Sequence, residues 1–158
     1  MKFSEMKYER PDLEAIKRKL AGLNERLKAA KSYAEAREVF LEHEAVSIHA
    51  ETEATLASVR HTIDTRDAFY DAEETFWNVA GPELEEYEDA WKGTMLESPF
   101  RKEFAAEYGE LMFVNAEIAR KAFSPEIIPE SQQENDLSQA YSKLIASAQI
   151  PFEGGVYT

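Results

Sequence analysis

The sequence predicts an all-α fold, an antiparallel helical bundle of about five to six helices, with a short C-terminal β-hairpin or extended segment. Three observations carry this. Apolar residues recur at intervals of three and four along most of the chain, which is the helical period. Cap and breaker residues punctuate that pattern. Only the last ten residues alternate apolar with polar around a glycine pair, as a hairpin does.

The first helix follows Pro11, a residue suited to the first helical position, and Leu13, Ile16, Leu20, Leu23 and Leu27 lay one stripe along it. Ser32-Tyr-Ala-Glu35 reads as a capping box, in which hydroxyl and carboxylate satisfy orphan amides at a helix start. The helix it opens carries Leu41, Ala45, Ile48, Thr52, Leu56, Val59 and Ile63 on one face. Val39, Val46, Ala50 and Ala57 form a second stripe, with His43 between its members as a half-buried packing residue.

Asp64-Thr-Arg-Asp67 marks a break and restart, since Asp and Thr are good N-caps. Phe69, Tyr70, Phe76 and Trp77 follow on a helix that Gly81-Pro82 is expected to end, with Pro82 starting the next segment through Leu84, Tyr87, Trp91 and Met95. Ser98-Pro99 is expected to start a longer helix through Phe104, Tyr108, Leu111, Ile118 and Ala122, weakened at Gly109 by about 1 kcal/mol relative to alanine. Ser124-Pro-Glu-Ile is again cap plus proline, and Leu137, Tyr141, Leu144 and Ala148 make a last amphipathic helix. The expected division is a helical lobe over 1–148 and, over 149–158, a truncated hairpin that begins a following region.

The 158 residues, 44% hydrophobic and 11% aromatic, suit one domain with its own core. Without cysteine there is no disulfide framework, thiol nucleophile or Cys-ligated zinc, in keeping with a reducing compartment, and the expectation is cytoplasmic. No run approaches the roughly 18 uninterrupted apolar residues of a membrane span. With 18 Lys+Arg against 31 Asp+Glu, the net charge of -13 disfavours nucleic acid and anionic membranes.

Two of the three histidines lie in Leu41-Glu-His-Glu-Ala-Val-Ser-Ile-His-Ala-Glu-Thr-Glu53. His43-Glu44 opens like the HExxH signature of zinc peptidases, in which two histidines one turn apart share an ion. Four residues on stands Ser47, and His49, six residues on, is rotated by about 240° on a helix. The Glu-x-x-His pattern of di-iron bundles fails as well, because Phe40, Val46 and Ser58 precede the three histidines by three. No metal or catalytic residue is assigned.

The densest polar cluster is Arg60, His61, Asp64, Arg66 and Asp67, with Asp71 and Glu73 close behind. It reads either as a contact to a channel or a second domain, through arginine forks on carboxylates, or as a helix break whose charges cap termini and pair locally. The aromatics, at spacings of four and seven, read as core rather than as a peptide groove.

Four stretches carry a family resemblance: Tyr8-Glu-Arg-Pro-Asp-Leu-Glu14; Ala57-Ser-Val-Arg-His-Thr-Ile-Asp-Thr-Arg-Asp-Ala-Phe-Tyr-Asp-Ala-Glu73; Glu97-Ser-Pro-Phe-Arg101; and Phe123-Ser-Pro-Glu-Ile-Ile128 leading to Tyr141-Ser-Lys-Leu-Ile-Ala-Ser-Ala-Gln-Ile150. In wording and order they resemble the N-terminal region of the oligoendopeptidase F family, zinc metallopeptidases related to thimet oligopeptidase that hydrolyse short peptides. The resemblance implies a helical lobe forming one wall of a substrate channel, with the HExxH helix and its zinc in a later domain. No cofactor is then expected in this chain, zinc being the parent's. As a fragment it would be inactive alone, with the missing C-terminal catalytic domain as partner, an oligopeptide as the parent's substrate, and self-association through bared apolar surface. The other reading is a stand-alone acidic helical module that binds a protein.

Overall fold

The computed structural model describes residues 6–157. Six α-helices run in order: α1 (Leu13–Ala29), α2 (Tyr33–Ile63), α3 (Ala68–Glu97), α4 (Arg101–Tyr108), α5 (Leu111–Ala122) and α6 (Ile128–Ala146). A hairpin of β1 (Ile150–Phe152) and β2 (Gly155–Tyr157) comes after them. The links from α1 to α2 and from α2 to α3 are a few residues long, so these packed neighbours run antiparallel. Helix α3 is the hub, packing on α1, α2, α5 and α6.

Asp12 is the N-cap of α1, accepting from the Ala15 amide at 3.0 Å, so Pro11 lies just outside the helix it was expected to begin. At the start of α2 the Ser32 hydroxyl accepts from the Glu35 amide at 3.3 Å, while Glu35 accepts from the Lys31 amide at 2.9 Å. The reciprocal half of the box thus reaches one residue further out. Asp67 caps α3, accepting from the Phe69 and Tyr70 amides.

The core joins Leu20, Leu23 and Leu27 of α1 to Val39, Phe40, Val46, Ala50 and Ala57 of α2 and to Trp77, Leu84, Trp91 and Met95 of α3, and Phe104 and Phe113 close one end. On α2 the second apolar stripe is therefore the core face. Of the first stripe, Leu56 is buried, but Leu41, Ile48 and Ile63 are exposed. The burial of His43 is complete rather than half: its ring is 1% exposed and stacks on the Trp91 ring at 3.9 Å and 5°.

Two expected boundaries change places. Pro82 does not end a helix but sits inside α3. Proline lacks the N–H that would bond the carbonyl four residues back, here that of Asn78, and this carbonyl accepts instead from Asn135 Nδ2 of α6 at 3.2 Å. The neighbouring Val79 carbonyl accepts from Gln132 Nε2 at 3.1 Å. Gly109, in contrast, separates α4 from α5, because its φ of 94° and ψ of 147° lie outside any helical region. The break gives α5 a new phase, turning Phe113 inward while Leu111, Val114 and Ile118 face outward.

The amphipathic helix α6 turns its apolar face outward. It succeeds a 3₁₀ turn, Pro125–Ile127, and buries none of its residues. Its amide-bearing side chains meet α3, and Leu137, Tyr141, Leu144 and Ile145 are turned outward. In the hairpin, Ile150 pairs with Tyr157 and Phe152 with Gly155. Glu153 and Gly154, both with positive φ, form the two-residue turn that suits the strand twist. Ile150, Phe152 and Val156 are exposed as well.

Candidate functional site

The five residues of the polar cluster do not converge on one point. Arg60, on the last turns of α2, turns toward the N-terminal segment, donating to the Met6 carbonyl and holding its guanidinium 5.6 Å from the Tyr8 ring centroid. His61 is 4% exposed and faces α3, with Nε2 3.5 Å from Asp71 Oδ1. Asp64 is the C-cap of α2 and accepts from the Arg66 amide at 3.0 Å. The Arg66 side chain is almost wholly in solvent, and Asp67 caps α3. The helix ends at Ile63 because Asp64 leaves helical geometry, and three of the five residues serve that turn.

The residues that do converge are Tyr8, Arg10, Glu73 and Trp77. The Tyr8 hydroxyl donates to Glu73 Oε2 at 2.5 Å and accepts from Trp77 Nε1 at 3.2 Å. Arg10 grips both Glu73 oxygens, at 2.8 and 2.9 Å, and lies 4.7 Å over the Phe76 ring. Burial pushes the Glu73 carboxyl up, but the hydrogen bonds from Arg10 and Tyr8 outweigh it and hold the carboxyl below its usual range. Burial and the same carboxylate raise the Tyr8 hydroxyl far above its ordinary value. Nearby, the buried Glu53 accepts from the Glu9 amide at 3.1 Å. Together these contacts strap residues 6–10 onto α2 and α3. Periodicity gives no sign of this clasp, though Tyr8, Arg10 and Glu73 all lie in stretches that carry the resemblance.

A second polar junction joins α3 to α6. Asp71 accepts from Lys143 Nζ at 2.9 Å and from Gln139 Nε2 at 2.8 Å. The Lys143 bond, with help from Gln139, holds the Asp71 carboxyl below its ordinary value against the opposing effect of burial.

Among the described residues, no three His, Asp or Glu side chains are grouped so as to hold a metal ion. His43 Nε2 lies 3.5 Å from Glu88, its ring is closed over by Trp91, and His49 is exposed on another face. These residues do not fit the zinc of an HExxH site. An apolar cavity of about 330 Å³ opens beside Trp91, Met95, Met112 and Phe113, with Glu44, Glu88 and Lys92 at its polar edge. No helix among the described residues is long and apolar enough to cross a membrane.

Residues 3–123 match the model of the Peptidase M3 N-terminal domain. The chain belongs to that family. Three solved structures share the whole arrangement of this M3 N-terminal domain and the elements after it. PZ peptidase A, determined with an inhibitor, is 35% identical at a TM-score of 0.95 over 99% of this chain. An oligoendopeptidase F structure from Bacillus anthracis is 35% identical at 0.94 over 99%, and another oligoendopeptidase F structure is 36% identical at 0.96 over 100%. The chain spans 28%, 29% and 28% of their respective lengths. Helix α6 and the hairpin lie beyond the family-model match but within these structural matches. No curated protein matches the chain.

Proposed function

We propose that this chain is the N-terminal helical lobe of an oligoendopeptidase F-like zinc metallopeptidase acting on short peptides in the cytoplasm, where it forms one wall of the substrate channel and does no hydrolysis by itself. The observation that carries this is identity of 35–36% along essentially the whole chain to structures more than three times as long. Zinc and the HExxH pair would come from a catalytic domain outside these residues, because the histidines here lie apart and the described residues hold no metal-ligand group. The outward apolar faces of α5, α6 and the hairpin supply a surface for that domain to cover, since exposed patches of this kind mark interfaces. The division near residue 148 into lobe and hairpin belongs to the same proposal, with the hairpin and α6 docking together. In this reading Arg60 and His61 hold the lobe together and Arg66 is the member of the cluster free to meet another domain.

The test uses PZ peptidase A lacking the region equivalent to this chain. Added in trans, the chain should bind the truncated enzyme and restore peptide hydrolysis, while alone it retains no stoichiometric zinc and cleaves nothing. Hydrolysis with bound zinc by the chain alone would overturn the proposal. So would failure of the two pieces to associate.

A further inference from the structure

The apolar cavity between α2, α3 and α5, about 330 Å³ in volume, is at the small end of ligand pockets, which run from about 300 to 1,000 Å³. Trp91 and Met95 of α3 and Phe113 of α5 form its buried floor. Met112, Ala116 and Ala119 of α5 are half-buried and leave the apolar wall open from outside. Water gains little against such a wall, because it needs several polar partners.

The edge is acidic. Glu44 of α2 and Glu88 of α3 both line the cavity, with side chains 45% and 25% exposed, and neither is paired with Lys or Arg among the described residues. Glu88 Oε1 accepts from the Ser47 hydroxyl at 2.7 Å, whereas its Oε2 has no hydrogen-bond partner among the described residues and keeps contact with solvent. The His43 ring lies 3.9 Å from Glu44 and 3.5 Å from Glu88 without a hydrogen bond to either, which places both carboxylates on one edge. Lys92, the one cation among the lining residues, is held by Glu85 at 2.7 Å.

An occupant has to suit both parts. An anion would be repelled, and a metal ion would find too few oxygen ligands beside an apolar wall. A neutral apolar molecule would strip water from the carboxylates and offer nothing in exchange. A bare ammonium ion would leave the apolar wall in water. We propose that this cavity binds a small organic amine, with an aromatic or branched aliphatic group against the apolar wall and the protonated nitrogen beside Glu88 and Glu44. All of the residues concerned lie within this chain, and binding needs no catalytic domain.

The test is an amide-resolved NMR titration of the 158-residue chain. Phenethylamine is the probe, with 2-phenylethanol as its neutral analogue, 3-phenylpropionate as the anion and ethylamine as the cation without a ring. An ionic strength of about 0.15 M, with a Debye length of about 8 Å, suppresses diffuse attraction of cations to the net charge of -13. Saturable shifts are expected at residues 88, 91, 112, 116 and 119 with phenethylamine. Binding of the alcohol should be about tenfold weaker, for want of the charge-assisted contact, and the other two compounds should not saturate. Glu88→Gln, which keeps an oxygen for Ser47, should remove most of the preference for the amine while leaving alcohol binding unchanged, a split that a merely structural role would not produce. Should that variant disturb the spectrum as a whole, Glu44→Gln, at the more exposed carboxylate, should reduce the same preference in an intact fold. Equal affinity for amine and alcohol, saturation by ethylamine or phenylpropionate at these residues, no saturable shift, or an undiminished preference in the folded variants would overturn the proposal.

Discussion

Asn135 of α6 donates its side-chain amide to the Asn78 carbonyl of α3, the acceptor that Pro82 leaves without an intrahelical partner. The proline and the last helix are therefore energetically linked although they lie far apart along the chain. In a double-mutant cycle, Asn135→Leu should cost about 1–2 kcal/mol on the proline background and markedly less when Pro82→Ala restores the backbone N–H. Chemical denaturation of the four proteins gives the coupling, and strictly additive costs would remove it.

Glu73 is the centre of the N-terminal clasp and its side chain is 7% exposed. Glu73→Gln weakens two charge-assisted bonds and should cost about 2–3 kcal/mol. Limited proteolysis should then cut between residues 6 and 12 before any helix. A variant that keeps this segment protected would show the clasp to be dispensable.

Acid should release α6 before the core. The Asp71 carboxyl is held below its ordinary value chiefly by Lys143, so its contribution to stability is complete above the unfolded aspartate value, about 3.9, and is lost as pH falls through the lower folded value. Hydrogen exchange of α6 amides, tracked downward from about pH 6, should show opening below about pH 4 that Lys143→Met brings on at higher pH. Equal acid response in α6 and α1 would contradict this.

Gly109 holds a conformation that side chains rarely adopt. Gly109→Ala should destabilise by about 2 kcal/mol, with the loss felt where Phe104 and Phe113 meet the core. A neutral thermal shift would mean that the α4–α5 link relaxes freely.

What the sequence makes legible depends on whether one element decides its own state. Caps do, so Ser32 and Asp67 are visible as helix starts, whereas at α1 the proline at position 11 draws the expected start ahead of the true cap, Asp12. Burial does not: α2 carries two apolar stripes, and only the placement of α1 and α3 selects Val39, Val46 and Ala50 over Leu41 and Ile48. Pro82 misleads because the compensating donors, Gln132 and Asn135, come from a distant helix, whereas Gly109 is underread because a single glycine in a helical pattern is ambiguous until its φ is seen. The apolar face of α6 is legible as a face, but not its outward direction. Of the polar cluster, Asp64 and Asp67 can be placed from local chemistry alone, while the sides to which Arg60 and His61 turn depend on Tyr8 and Asp71, which no spacing rule connects to them.

The strap of residues 6–10 also has a kinetic meaning. Arg10 and Glu73 lie 63 residues apart, so their contact closes a long loop, while α1, α2 and α3 are joined by short links and can pair as successive neighbours. Loop-closure entropy places such a contact late in folding. Once formed, it adds to the barrier for escape more than to the rate of arrival, so that the first residues of the chain act as a latch on a bundle already assembled beneath them.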